Sequence, residues 1–264
     1  MDKIFRPLPA AALIGMIHLP PLPGHPANRL PLSRILERAL DDARIWVEAG
    51  FDALMIENFG DAPFRPTRVD PHTVAGMTVA AQIVRAGVTV PIGINVLRND
   101  AQAALAIATI CGAAFIRVNV HCGVYATDQG FIEGRADETI RYRRLLESKV
   151  AVFADVHVKH ASPLLNQSIA EAARETAYRG RADGLIVSGS ATGCPTALAD
   201  LRAVRTAVPD RPIYVGSGAD TQTAAELLSI ADGVIVGTSL KENGQTTAPV
   251  DPKRAEAFVR AARN

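Results

Sequence analysis

Ionisable side chains recur near the ends of short apolar runs in this chain of 264 residues. Five of them are candidates for catalysis: Glu57, Arg117, Asp155, His157 and Lys159. Carboxyl and imidazole groups act as general acids or bases when burial adjusts their pKa, and cationic groups stabilise developing negative charge. The set predicts acid–base chemistry on a small polar substrate. Two alternatives stay open: Lys159 could form a Schiff base with a carbonyl, and Asp155 could merely neutralise a buried cation.

Uncharged polar residues accompany this set and are predicted to bind the substrate. They are His18, Asn58, Asn95, Asn119, His121 and Ser188. A single His or Asn at the end of a strand commonly fixes a loop by hydrogen bonding, so each residue alone is weak support for a site. Buried ionisable groups without partners are costly, however, and we therefore expect the whole set to pair internally and with a polar ligand.

Two glycine-containing segments near the end of the chain predict a phosphate site. The residues concerned are Gly216, Ser217, Gly218, Gly237, Thr238 and Ser239. Backbone N–H groups in such loops attract anions, especially where a helix begins, and the sequence predicts a helix that opens at Thr221. Residues 188–193 add further hydroxyl groups. The expected partner is therefore a small phosphorylated metabolite.

The sequence predicts no cofactor and no dedicated metal site. A divalent metal remains an option, since His18, Glu57, Asp155 and His157 offer ligand atoms, but no HExxH or HxH motif supports it. The absence of GxxxxGK[ST] argues against triphosphatase chemistry. Three widely spaced cysteines indicate neither a disulfide framework nor a zinc ribbon and fit a reducing compartment.

The elements that must position these residues follow a repeated pattern, in which short runs of Val, Ile, Leu and Ala alternate with amphipathic segments. Eight strands are predicted, over residues 13–18, 53–57, 91–95, 115–119, 151–158, 184–188, 213–216 and 233–237. The clearest helices cover 33–49 and 100–110, the second capped by Asp100. This rhythm predicts one (β/α)₈ TIM barrel over residues 1–264. An open doubly wound sheet is the alternative, disfavoured because no GxGxxG motif occurs.

Strand parity then places the candidate residues. Alternate side chains of a strand share a face, so Arg117, Asn119 and His121 should point the same way, as should Asp155, His157 and Lys159. Barrel enzymes carry their reactive groups at the carboxyl ends of the strands. The sequence therefore predicts one pocket at that end of the barrel.

Composition excludes several classes of partner. Lys and Arg number 28 against 27 Asp and Glu, giving a net charge of +1, so no broad surface for nucleic acid is indicated. Charged or polar residues interrupt every apolar segment before the ~20 residues that a membrane span requires. We expect a cytoplasmic protein that does not insert into membranes, and a homo-oligomer is compatible with the sequence.

Seven segments carry a resemblance to a known family. They are residues 14–24, 57–64, 93–100, 115–121, 128–134, 155–161 and 182–189. Together they resemble the BtpA/SgcQ family of TIM-barrel proteins along essentially the whole chain, with Cys122 standing where that family's pattern has Thr. The resemblance implies the barrel fold but brings no catalytic assignment.

The resemblance also implies a second functional hypothesis. Cyanobacterial members of the family are associated with photosystem I biogenesis at the thylakoid, and bacterial members are described as enzymes, sometimes as nucleoside triphosphatases. The alternative to an enzyme is therefore a non-catalytic biogenesis or stability factor for a membrane complex. The many ionisable residues predicted at the barrel mouth favour the enzyme.

Overall fold

A closed barrel of parallel strands forms the body of the protein. The computed structural model describes residues 6–189 and 196–263. Its strands are β1 (Ala12–His18), β2 (Ala53–Glu57), β3 (Ile92–Asn95), β4 (Phe115–Val118), β5 (Val124–Thr127), β6 (Gly130–Glu133), β7 (Ala151–Val156), β8 (Ala161–Pro163), β9 (Gly184–Val187), β10 (Ile213–Val215) and β11 (Gly233–Val236). The barrel order is β1-β11-β10-β9-β7-β4-β3-β2. The predicted TIM-barrel fold is confirmed.

The helices pack around the outside of the barrel. They are α1 (Leu32–Ala49), α2 (Pro71–Gly87), α3 (Ala101–Cys111), α4 (Ala136–Leu145), α5 (Ile169–Arg174), α6 (Leu198–Ala207), α7 (Ala224–Leu228) and α8 (Pro252–Arg263). The apolar stripe of α1 is buried, including Ile35, Ala39 and Trp46. The predicted cap of α3 is present, because the Asp100 side chain accepts a hydrogen bond from the Ala103 backbone N–H.

Two apolar layers hold the barrel together. One lies between the strands and the helices, and the other fills the interior. Inside, the ring of Phe153 lies 4.9 Å from that of Phe115 and 4.7 Å from that of Tyr214, measured between centroids. Phe115 and Phe153 precede Arg117 and Asp155 by two residues, so parity places the aromatic rings directly below these charged groups. The candidate site therefore lies directly above a tightly packed apolar layer.

The chain departs from the predicted elements at the mouth. Strands β4 and β7 end at Val118 and Val156, before the predicted ends at 119 and 158. Strands β6, β5 and β8 form an antiparallel sheet that is not among the predicted elements. After β10, the helix predicted to open at Thr221 begins instead at Ala224. Within the described ranges, no helix combines the length and apolar character needed to cross a bilayer.

Gly15 provides a test of barrel-to-helix packing. A Cβ atom at this position would lie 2.6 Å from two ring atoms of Trp46, a fully buried side chain. We predict that Gly15→Ala lowers the free energy of unfolding by about 1–3 kcal/mol, because overpacking forces the ring or the strand to move. Urea unfolding followed by circular dichroism measures the change.

Gly76→Ala in α2 is the matched control. Its Cβ would make ordinary contacts, with Leu22 Cδ2 at 3.4 Å, and alanine is the better helix former. This variant should match or exceed the stability of the wild type. Equal unfolding midpoints for the two variants would contradict the packing argument.

Candidate functional site

Two adjoining cavities open at the carboxyl ends of the barrel strands. The inner cavity, ≈ 160 Å³, is lined by Met16, His18, Glu57, Arg117, Lys159 and residues 216–220 and 235–239. The outer cavity, ≈ 730 Å³, shares His18, Glu57 and Lys159 with it and also touches Asn119. We call the two together the mouth pocket. Residues that lie more than a hundred positions apart thus meet around one space.

A buried ion pair forms one wall of the mouth pocket. Arg117 donates from Nε to Asp155 Oδ1 and from Nη2 to Asp155 Oδ2, both at 2.9 Å. The two side chains are 2% and 0% exposed. Burial alone would lower the pKa of Arg117, but the charge and hydrogen bonds of Asp155 raise it, so the guanidinium stays charged.

Two amide side chains extend this network. Asn119 donates to Asp155 Oδ2 at 3.4 Å, and Asn95 donates to Asn119 Oδ1 at 2.9 Å. Arg117 lines the inner cavity, whereas Asp155 lies behind it and lines neither part of the mouth pocket. The geometry therefore favours Asp155 as a residue that positions and neutralises Arg117 over Asp155 as a base in contact with substrate.

Glu57 and Lys159 are the ionisable groups best placed for proton transfer. Burial raises the pKa of Glu57 even though Lys159 and Arg117 oppose the rise. Burial, reinforced by the charge of Arg117, lowers the pKa of Lys159 to about 8. Both groups are thus shifted toward their neutral forms, in which a carboxyl can donate and an amine can accept a proton.

His18 borders the same carboxyl. Its Nε2 lies 3.8 Å from Glu57 Oε1, and its ring packs against Phe59 with centroids 4.9 Å apart. Burial and then the charges of Lys241 and Lys159 hold the pKa of His18 well below its usual value. The imidazole is therefore neutral near pH 7 and serves as a hydrogen-bonding group beside Glu57.

The two glycine-containing loops form the opposite wall. A Cβ on Gly216 would lie 2.4 Å from Ser188 Oγ and 3.3 Å from Arg117 Nη2, so glycine lets this loop approach the guanidinium. Ser239 Oγ donates to the Ala219 carbonyl at 2.9 Å, which ties the two loops together. Among the described residues, Ser188 Oγ has no hydrogen-bond partner.

Parts of the predicted phosphate site need correction. The Gly216 N–H donates to the Val187 carbonyl at 2.8 Å and cannot serve an anion. The carboxylate of Asp220 accepts from the N–H groups of Gln222 and Thr223, which replaces the helix start predicted at Thr221. The Thr238 hydroxyl pairs with Thr246 at 2.9 Å. The amides of residues 217–218 and 237–239 remain the predicted anion donors.

Six predicted site residues line neither part of the mouth pocket: Asn95, Asp155 and Ser188, described above, and Asn58, His121 and His157. Asn58 fixes a loop, donating to Asp61 Oδ2 at 3.1 Å and accepting from the Leu97 N–H at 2.7 Å. His121 donates from Nε2 to the Gly180 carbonyl at 2.8 Å. His157 lies against Tyr125, with ring centroids 6.4 Å apart. The prediction that His157 shares the pocket is wrong because its φ of 51° ends the alternation of strand β7.

The outer cavity also contains a residue that the sequence did not predict. Arg98 is 5% exposed, lines that cavity and donates to the Lys159 carbonyl at 2.7 Å. A basic residue three positions beyond β3 was the available signal. Residues 190–193 and Cys194 lie outside the described residues. Within the described ranges, no three His, Cys, Asp or Glu side chains are grouped as a metal site.

Sequence comparisons connect this chain to a protein family. The model of the BtpA family matches residues 10–264. One relative, from Synechocystis sp., is named "Photosystem I biogenesis protein BtpA" and is 49% identical over 249 residues, covering 94% of this chain and 87% of that protein.

Comparison with solved structures agrees on the barrel. N-(5'-phosphoribosyl)anthranilate isomerase from Pyrococcus furiosus superposes with a TM-score of 0.57 at 15% identity, covering 96% of this chain and 99% of that one. Thiamine phosphate pyrophosphorylase from the same organism gives 0.59 at 14% identity, with 96% and 95% coverage. At these identities the likeness establishes the fold alone.

The Arg117–Asp155 pair generates a prediction about stability. Asp155→Asn should lower the free energy of unfolding by about 3–5 kcal/mol, because it leaves the buried guanidinium without a counter-charge. Thermal unfolding at pH 7 measures the loss. Glu37→Gln, which removes the exposed ion pair with Arg34, should change the melting temperature little. A fully stable Asp155→Asn variant would mean that another group balances Arg117.

Proposed function

The chain belongs to the BtpA family, and from its mouth pocket we propose that it is an enzyme acting on a small phosphorylated metabolite. The observation that carries this proposal is the convergence of Glu57, Arg117 and Lys159 with the two glycine-containing loops around one cavity. Anion-binding and proton-transferring groups thus line the same space. Perturbed ionisable groups in a cleft are typical of catalytic sites.

The division of the mouth pocket suggests how such a substrate is held. The inner cavity of ≈ 160 Å³ lies between Arg117 and the loops and suits a phosphate group. The outer cavity of ≈ 730 Å³ has the size of a small-metabolite site and receives the remainder of the molecule. Barrels frequently bind phosphate at the loops after their last two strands, here β10 and β11.

Glu57 and Lys159 then perform the chemistry. With its pKa lowered to about 8, Lys159 reaches its neutral form, which can accept a proton, far more readily than an exposed lysine. Glu57, whose pKa is raised by burial, is protonated more readily than an exposed carboxyl and donates a proton at a second atom of the substrate. Arg117, fixed by Asp155, stabilises the negative charge that develops. The reaction class we propose is proton transfer or bond cleavage next to a carbonyl or glycosidic carbon.

The names of the structural neighbours are consistent with this class of substrate. Both solved enzymes are named for phosphorylated compounds, a phosphoribosyl compound in one case and thiamine phosphate in the other. Because their sequences are so different from this one, they do not indicate which reaction this protein catalyses.

A thermal-shift screen tests the substrate class. Phosphorylated sugars and nucleotides should raise the melting temperature more than their dephosphorylated counterparts at equal concentration. Compounds that stabilise the protein are then incubated with it and followed by ³¹P and ¹H NMR for turnover. If no phosphorylated compound stabilises the protein more than its dephosphorylated partner, the proposal fails.

Lys159→Met provides the catalytic prediction. Turnover of the substrate found by the screen should fall about 100-fold or more, because the variant keeps the length of the side chain but lacks the amine. Lys253→Met, on the exposed surface of α8, is the matched control and should retain activity. Unchanged turnover in Lys159→Met would remove this residue from the mechanism.

The pH dependence follows from the lowered pKa of Lys159. If the neutral amine is the active form, kcat/KM of the wild type should rise with pH and level off above an apparent pKa of about 8. Borohydride added during turnover distinguishes the two roles of the amine: a stable adduct at Lys159 identifies a Schiff base, and its absence supports a base. A flat profile from pH 6 to 9 would contradict both roles.

The Synechocystis relative supports a second candidate function, in the biogenesis of a membrane complex. A strain that lacks this relative allows the two functions to be separated. Rescue of photosystem I accumulation by the present chain and by its Lys159→Met variant alike would favour a non-catalytic factor. Rescue by the wild type alone would make the chemistry of the mouth pocket the basis of that role.

A further inference from the structure

A second cavity lies on the outside of the barrel, away from the mouth pocket. It is an open groove of ≈ 760 Å³ between α4 and the π-helical turn Glu175–Arg179. Four arginines line it: Arg141, Arg144, Arg179 and Arg181. We call it the arginine groove. None of the residues lining the groove belongs to the mouth pocket.

The charges around the arginine groove are unbalanced. All four arginines are exposed, and within the described ranges none of them forms an ion pair. The neighbouring Arg143, by contrast, pairs with Asp183. One carboxylate, that of Asp137, also lines the groove. Four guanidinium groups facing a single carboxylate produce a concave surface of positive potential, which attracts anions.

The start of helix α4 faces the same groove. This helix has 10 residues and no side-chain cap at its N-terminus, and Ala136 and Asp137 of its first turn line the groove. Backbone N–H groups in the first turn of a helix have no partners within the helix. The positive end of the helix dipole therefore adds to the arginine charges.

A buried histidine supplies an independent indication of a ligand. His121 is 1% exposed and lines the arginine groove. Its Nε2 donates to the Gly180 carbonyl, while Nδ1 has no hydrogen-bond partner among the described residues. Because Nε2 carries the proton of the neutral ring, Nδ1 is an acceptor. An unsatisfied buried acceptor in the wall of a cationic groove marks a polar site rather than a sealed part of the core.

We propose that the arginine groove is a second binding site, which takes a small organic compound carrying two or more phosphate groups. Arginine binds phosphate oxygens in a bidentate manner, so two pairs of arginines on opposite sides match two phosphate groups. The concave shape and volume suit a small molecule rather than a flat macromolecular surface.

Calorimetric titration of the full chain with fructose 1,6-bisphosphate tests the proposal. Arg141→Gln/Arg144→Gln should raise Kd about tenfold or more, because each arginine supplies charge-assisted hydrogen bonds. Arg85→Gln/Arg202→Gln removes two exposed helical arginines elsewhere and is the matched control, expected to change Kd less than about twofold because it alters only the long-range charge. Equal losses in both variants would show unspecific charge attraction and overturn the proposal.

A second measurement separates this site from the mouth pocket. Lys159→Met should leave the arginine-dependent binding intact, and loss of all binding in that variant would place the ligand in the mouth pocket instead. Cys122 is half-buried in the groove wall, so the rate at which its thiol is alkylated reports whether the groove is occupied. Bound ligand should slow its alkylation in the wild type but not in Arg141→Gln/Arg144→Gln, as read by peptide mass mapping. No protection at saturating ligand would contradict the assignment, whatever substrate the mouth pocket takes.

Discussion

The ion pair between Arg117 and Asp155 is the interaction on which the mouth of the barrel depends. A guanidinium and a carboxylate this deeply buried are tolerated only with matched geometry and further hydrogen bonds, and Asn119 supplies one of these. The pair lies above the stacked rings of Phe115 and Phe153. These rings fill the barrel interior and keep both charged side chains at the mouth. Arg117 is thereby held facing Gly216 and the loops beyond it.

This fixed cation shapes the chemistry of its neighbours. Its charge, added to burial, helps lower the pKa of Lys159, and burial raises the pKa of Glu57 against it. An anionic group entering the inner cavity would offset the charge of Arg117 and shift both groups again. Substrate binding and the protonation of Glu57 and Lys159 are therefore coupled through Arg117, which follows from Coulomb interactions at short range in a poorly hydrated cavity.

The fold and the inner part of the site could be predicted from the sequence because strand periodicity holds inside strands. Alternation identifies Arg117 and Asp155 as inward-facing and places Glu57 at the end of β2. The same rule fails at His157, where the backbone turns to positive φ. Lys159 reaches the mouth pocket through a turn rather than by strand parity. Short strands such as β5 and β8 lack the alternation of apolar and polar residues from which a strand is predicted.

Features that depend on particular hydrogen bonds could not be predicted from the sequence. Arg98 is held in place by its hydrogen bond to the Lys159 carbonyl. The Asp220 carboxylate accepts a hydrogen bond from the Gln222 N–H, so a turn forms where a helix is predicted to begin at Thr221. The first depends on a contact between distant segments and the second on the path of a single turn, and residue types alone leave both open.

The arginine groove shows the same limit on a larger scale. Its arginines come from α4 and from the segment around Gly180, nearly forty positions along the chain, and each one alone looks like an ordinary exposed residue. Only the packing of these segments beside His121 makes the cluster. Because strand β4 carries Arg117 at the mouth and the chain then runs directly to His121, one short segment joins the mouth pocket to the arginine groove.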